Sequence, residues 1–233
     1  MRQEEEEEEV LVKLPAATTP AATAAATTAA TTAEEKTKGK LIIIEGLDKS
    51  GKTTQSKLLF NFYEKVYAGQ VRLMNFPDYS TRIGSEIKLF LQGKVEYANE
   101  VKHILLSANR WEKKFEIERL REQNKIIILN RYYQSNLAYG LANGLNFEWL
   151  INLDYGLPKE DIVIILDIDP AISYKRGIEN DFILDKFERD KIFLKKARKY
   201  YLELAKKFKW HVINSDSDKN TIFEKIINII KPV

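Results

Sequence analysis

From residue 41 onward, short apolar runs alternate with longer stretches in which apolar residues recur at three- and four-residue spacing. The runs at 41–44, 71–75, 125–129, 161–167 and 210–213 are rich in Ile, Leu and Val and lack the in-out alternation of a half-solvated strand. They therefore predict strands buried on both faces, as in a parallel sheet. The intervening stretches predict helices. One runs from Thr54 to Tyr63, and a second is capped by Ser80 or Thr81 and ends near Gln92. A single long helix is predicted over 98–122, carrying Leu105, Leu106, Trp111, Phe115, Ile117 and Leu120. Helix signals recur from Ser135, from Asn146 and at Pro170, which suits a first helical position. The pattern breaks over 179–186, resumes as helix over 187–207, and ends in a helix capped by Ser215 or Asp218. Strict alternation of this kind predicts an α/β three-layer sandwich with a parallel sheet of about five strands. Ligands in such sheets bind outside the carboxyl ends of the strands.

The first 39 residues do not share this pattern. A glutamate block, a Val10-Leu11-Val12 run and an Ala/Thr/Pro tract cannot bury enough apolar surface to offset the entropy of ordering. Residues 1–39 are therefore expected to be a disordered low-complexity tail or tag without chemistry, and residues 40–233 the folded domain. The split also resolves the charge. Of the net +3, residues 1–38 contribute four basic and eight acidic side chains, leaving 33 basic against 26 acidic in the remainder. That balance suits a phosphate-bearing small molecule and is too weak to argue for nucleic acid. The chain has no cysteine and two histidines, so thiolate chemistry, disulfides and a histidine zinc site are unsupported. His103 and His211 read as packing or surface residues. No run approaches the length of a bilayer span, and the acidic start fits neither a secretory nor a mitochondrial leader. No membrane partner and a cytoplasmic location are the expectations.

The chemistry is concentrated at the end of the first strand. Leu41–Ile44 leads into Gly46-x-x-x-x-Gly51-Lys52-Thr53 and then directly into helical spacing. Gly46, Leu47, Asp48, Lys49, Ser50, Gly51, Lys52, Thr53 and Thr54 form a phosphate-cradling loop. Its glycines let consecutive N–H groups turn inward, and the helix that follows adds its positive end. Lys52 reaches the β/γ-phosphates of a nucleoside triphosphate, and the Thr53 hydroxyl ligates Mg²⁺. This order of elements predicts a P-loop NTPase fold using ATP and Mg²⁺. The chain carries no Asn-Lys-x-Asp guanine reader and no strand-end Asp-Glu pair of the kind that activates water. Transfer to a bound acceptor is favoured over hydrolysis.

Further motifs narrow the acceptor. Glu45–Gln55, Phe76-Pro77-x-Tyr79, Ser107-Ala108-Asn109-Arg110-Trp111-Glu112, Arg131-Tyr132-x-x-Ser135-Asn136-x-Ala138-Tyr139, Leu157-Pro158-Lys159-x-Asp161 and Leu166-Asp167 together resemble the thymidylate kinase family of P-loop nucleoside-monophosphate kinases. The resemblance covers residues 40–230. It implies ATP-dependent phosphorylation of dTMP to dTDP by a homodimer. It further implies that Asp48 accepts from the dTMP 3′-hydroxyl, that Arg131 grips the dTMP phosphate with Tyr79 assisting, and that Arg110 donates to thymine O4. Asn136 would face the base edge, with Ser135 in the same set. Tyr139 would exclude a ribose 2′-hydroxyl, and Phe76 would wall the pocket. Lys49, Lys52 and Arg131 are the implied catalytic residues. Relatives place a basic residue in the P-loop or arginines in the lid. Because 179–186 holds no arginine, Lys49 is expected to neutralise the transferring phosphoryl. The chain departs from the family pattern in having Asn130 where relatives have aspartate, and Leu106 where they stack phenylalanine on thymine. Two alternatives are a kinase of another acceptor, such as dUMP or a deoxynucleoside, and a nucleotide-binding homologue without activity.

Overall fold

The computed structural model describes residues 39–179 and 190–230. The tail at 1–38 lies outside them, as do the predicted lid beyond Glu179 and the first residues of the helix expected from 187. The elements run β1 (Leu41–Gly46), α1 (Lys52–Val66), β2 (Val71–Asn75), α2 (Arg82–Leu91), α3 (Asn99–Trp111), α4 (Lys114–Glu122) and β3 (Ile126–Asn130). There follow α5 (Tyr133–Ala142), α6 (Phe147–Leu153), β4 (Ile162–Asp167), α7 (Pro170–Glu179), α8 (Lys191–Phe208), β5 (His211–Asn214) and α9 (Lys219–Ile230).

The five strands are all parallel in the order β2-β3-β1-β4-β5, with β1 at the centre. Period-two geometry divides each strand between two cores. Ile42 and Ile44, Ile126 and Ile128, Ile164 and Leu166, and Ile213 face Leu59 and Tyr63 of α1 and Ile222, Ile226 and Ile230 of α9. The alternate residues, including Ile43, Leu129 and Ile165, are equally buried. Their side of the sheet is covered by α4, α5 and α8, which contact β3, β1 and β4. Burial on both faces is the reason β1, β3 and β4 read as apolar runs, whereas β2 and β5 at the sheet edges are partly exposed.

The predicted single helix over 98–122 is two helices. α3 lies against α2, α5 and α6, whereas α4 lies against β3. The mixed spacing of the apolar residues reflects two partners in different directions, and one straight helix cannot face both. The chain turns at Glu112–Lys113, where the Lys113 N–H bonds to the Arg110 carbonyl at 3.0 Å in a tighter turn. Of the alternative caps, Thr81 accepts from Gly84 N–H at 2.9 Å to start α2. Asp218 accepts from the Asn220 and Thr221 amides at 2.9 and 3.1 Å to start α9. Ser215 instead donates to the Asp167 carbonyl at 2.9 Å.

Gly84 lets α2 close on the segment 76–81. A Cβ there would lie 1.8 Å from the Asp78 carbonyl oxygen and 2.7 Å from its carbon. Both are backbone atoms that no rotamer change can move. Gly84→Ala is expected to destabilise the fold by about 1–3 kcal/mol in urea unfolding, despite alanine's better helix propensity of about 1 kcal/mol. An unchanged urea midpoint would show that segment 76–81 is free to retreat.

Candidate active site

The carboxyl ends of the central strands converge on the loop after β1. Gly46 closes the strand at φ 135°, and Lys49 (φ 58°) and Gly51 (φ 96°) take left-handed backbone conformations. A Cβ on Gly46 would sit 2.4 Å from the Leu166 carbonyl oxygen, so any side chain would push β1 off β4. Gly51 is the N-cap of α1 without a side-chain cap, and the first turn holds no acidic residue. The leading N–H groups of α1 therefore stand at the positive end of the helix dipole without a cap from the Gly51 position, an arrangement suited to anions. Ser50 Oγ is buried without a hydrogen-bond partner beneath the same curl. Lys52 Nζ folds over the loop, donating to the Leu47 carbonyl at 2.6 Å and lying 3.9 Å from Asp48 Oδ1. Thr53 and Thr54 stand exposed in the first turn of α1.

Arg131 follows β3 with φ 70°, a left-handed conformation rarely adopted by a long side chain. Its guanidinium lies across the end of β1. Nη1 donates to the Gly46 carbonyl at 3.1 Å and to Ser135 Oγ at 3.0 Å. Nη2 forms a short charge-assisted bond to Asp48. Tyr139 donates to the other Asp48 oxygen at 3.2 Å. Burial alone would raise the Asp48 pKa. The Arg131 charge, followed by Lys52 and Lys49, overcomes it and holds the carboxyl well below the usual range. Asp48 is thus an anion tying the phosphate loop to the strand-end arginine.

Beneath this pair, Glu45 is fully buried and accepts four hydrogen bonds. Its Oε1 takes the Tyr132 and Ser135 amides at 2.8 and 3.1 Å. Its Oε2 takes Ser135 Oγ at 2.7 Å and the Tyr201 hydroxyl of α8 at 2.9 Å. Burial, then the Glu45 charge, raises the Tyr201 pKa far above its usual value, so the hydroxyl stays a donor. Nothing in the linear sequence distinguishes Glu45 from a strand-end surface carboxylate; its partners lie 87 to 156 residues away.

A cavity opens beside Asp48 and Arg131. The structure brings every expected acceptor-site residue to its wall: Asp48, Phe76, Tyr79, Arg110, Arg131, Ser135, Asn136 and Tyr139. Pro77, Leu91, Leu106 and Tyr132 complete it. Pro77 follows a cis peptide bond. The segment Phe76–Tyr79 is held by Asn109 of α3, whose Oδ1 accepts from Asp78 N–H at 2.7 Å and whose Nδ2 donates to the Asp78 carbonyl at 3.2 Å.

Two expected base-reading residues have protein partners that the sequence did not reveal. Arg110 makes a buried two-point pair with Asp154, Nε to Oδ1 at 2.9 Å and Nη2 to Oδ2 at 2.7 Å. This leaves its remaining edge to serve the cavity it lines. Asn136 is bonded to His103, which is buried as expected of a packing residue, while His211 is exposed at the start of β5. Asn130, at the end of β3, donates to Thr53 Oγ1 at 3.2 Å and to Asn75 Oδ1 at 3.0 Å. Its Oδ1 is buried with no hydrogen-bond partner.

Among the described residues, no helix is long and apolar enough to cross a membrane. Residues 44–226 match the family model described as Thymidylate kinase. A thymidylate kinase from Schizosaccharomyces pombe is 35% identical over 203 residues, spanning 85% of this chain and 95% of that protein. One from Plasmodium falciparum is 38% identical over 202 residues, spanning 86% and 92%. Among solved structures, the thymidylate kinase of Candida albicans superposes with a TM-score of 0.73 at 32% identity, covering 83% of this chain and 92% of that one. The family model and the relatives carry one description over most of the chain. The chain belongs to the thymidylate kinase family.

Proposed function

We propose that this protein transfers the γ-phosphoryl group of ATP to dTMP, giving dTDP and ADP. The observation that carries the reading is that the anion loop and the cavity share one residue, Asp48, which is ion-paired to Arg131. In the reaction a dTMP phosphate oxygen attacks the γ-phosphorus. A new P–O bond forms, the bond to the β-bridging oxygen breaks, and ADP leaves with the electron pair. The dTMP phosphate is already anionic at neutral pH, so little proton abstraction is required.

Within this reading Gly46–Thr54 cradles the ATP phosphates, and Lys52 turns from Leu47 toward the β/γ-oxygens. Arg131 presents its fork to the dTMP phosphate with Tyr79 nearby. Asp48 accepts from the 3′-hydroxyl, and Tyr139, bonded to Asp48, closes the sugar's C2′ side. Phe76 and Leu106 flank the base, while Arg110 and Asn136 face its polar edge. A divalent ion such as Mg²⁺ fits the residues present. The Thr53 hydroxyl is a hard oxygen donor, and the unpartnered Asn130 Oδ1 lies on the same amide that touches Thr53, suited to a metal-bound water. Such an ion would supply neutralisation of phosphate charge. A homodimeric assembly and a cytoplasmic location are part of the proposal; sedimentation velocity on the purified chain checks the first.

A coupled ADP-release assay tests the whole reading with dTMP, dUMP, dCMP and thymidine as acceptors. ADP release should depend on dTMP, with thymidine inert because it lacks the phosphate that Arg131 holds. Equal turnover of dUMP and dTMP would shift the acceptor, and ATP binding without acceptor-dependent release would overturn the enzyme.

A further inference from the structure

His103 belongs to α3 and Asn136 to α5, and their side chains meet in the buried interior behind the cavity wall. The contact has a defined polarity. His103 Nδ1 lies 2.6 Å from Asn136 Oδ1, and the Asn136 Nδ2 donates to the His103 backbone carbonyl at 3.2 Å. A carbonyl oxygen only accepts, so Nδ1 carries the ring proton. Nε2 is then a lone pair, and it accepts from Nδ2 of Asn143, the C-cap residue of α5, at 3.1 Å. The His103 carbonyl can only accept and the Nδ1 proton can only be donated, so together they hold the Asn136 amide in one orientation, and the Asn143 amide matches the remaining ring nitrogen. Turning the Asn136 amide over would set its NH₂ against the Nδ1 proton and its oxygen against the His103 carbonyl, two repulsive contacts in a buried place.

The neutral ring is stable in this setting. Burial lowers the His103 pKa to about 4; the Asn136 contact opposes that, and the nearby Arg110 and Lys102 charges add to it.

An unconstrained asparagine reads pyrimidines of either kind, because an amide turned by half a circle exchanges donor for acceptor. Thymine and uracil offer an N3 proton beside an O4 acceptor. Cytosine offers an N3 lone pair beside an amino donor. A held amide complements one pattern only. We propose that His103 is a positioning residue for acceptor specificity: by fixing the orientation of the Asn136 amide it makes the cavity select 4-keto over 4-amino pyrimidine nucleotides. The inference rests on the reading that Asn136 faces the base of a bound deoxynucleotide.

The test is the ratio of kcat/KM for dTMP to that for dCMP. In His103→Leu, which removes both ring bonds, the ratio should fall about tenfold, through KM rather than kcat. In His103→Asn, whose side-chain NH₂ stands near the position of Nδ1, the ratio should stay within about twofold of the parent, since the same donor is restored. An unchanged ratio in a folded His103→Leu protein overturns the proposal, as does an equal loss in His103→Asn. Should His103→Leu fail to fold, His103→Phe serves: it fills the volume of the ring without its donor and should lower the ratio in the same way, and no change overturns the proposal. A parent protein that does not phosphorylate dTMP overturns the proposed function and this inference together. An active parent with an indifferent His103→Leu variant overturns this inference alone.

Discussion

Replacing Arg131 with alanine is expected to lower kcat/KM for dTMP by about 10³-fold or more, the scale associated with arginines that stabilise a transferring phosphoryl group. The guanidinium gathers the Gly46 carbonyl, Ser135 and Asp48 within hydrogen-bond reach. Arg131→Lys should recover little activity, because an ammonium cannot present two parallel donors to a phosphate. The alanine variant should also change acid stability, and the sign follows from Asp48. Its folded-state pKa is depressed, so its contribution to stability is fully present above about pH 4 and is lost as pH falls through the lower folded value. Without Arg131 the largest remaining influence is burial, which raises that pKa. The acid-unfolding midpoint of Arg131→Ala should therefore move to higher pH, and circular dichroism across a pH series reads it. Wild-type turnover by the alanine variant would remove Arg131 from the acceptor site.

Replacing Lys49 should lower kcat by about 10²–10³-fold while leaving KM for dTMP within a few-fold. The motive is the absence of arginine from residues 179–186 together with the placement of Lys49 at the turn of the anion loop. The position has φ 58°, so alanine there would be strained. Lys49→Gly removes the amine while relaxing the backbone, and it should match Lys49→Ala in rate without losing thermal stability. Steady-state kinetics of both variants, with a melting curve for each, separate the two effects. If phosphotransfer is unchanged in Lys49→Gly, charge neutralisation belongs to another group.

The site was legible in the sequence wherever its chemistry is carried by neighbours in the chain. The anion loop is coded by Gly46, Gly51 and Lys52 within seven residues, because its work is done by consecutive backbone amides and the helix they open. The central strands were legible for a related reason: burial on both faces of a parallel sheet leaves no polar residue to interrupt β1, β3 or β4 before its carboxyl end. The family resemblance supplied the cavity residues, and all eight expected ones line it. The prediction of one helix over 98–122 was wrong because apolar spacing reports that faces are buried, not that they share a direction. Ile117 is buried on α4 against β3, whereas the α3 residues face α2, α5 and α6.

The supports of those residues were not legible. Asp154 holds Arg110 from 44 residues away, Glu45 holds the start of α5 from 87 and 90, and Tyr201 of α8 reaches Glu45 across 156. His103 and Asn136 are separated by 33 residues and meet because α3 packs against α5. Chain order determined the phosphate loop, the strand order of burial and the identities of the cavity residues. Only the packed molecule decided which way each side chain is held. A hydrogen bond between distant residues needs both helices in place, and no local pattern records an orientation that is imposed from across the sheet.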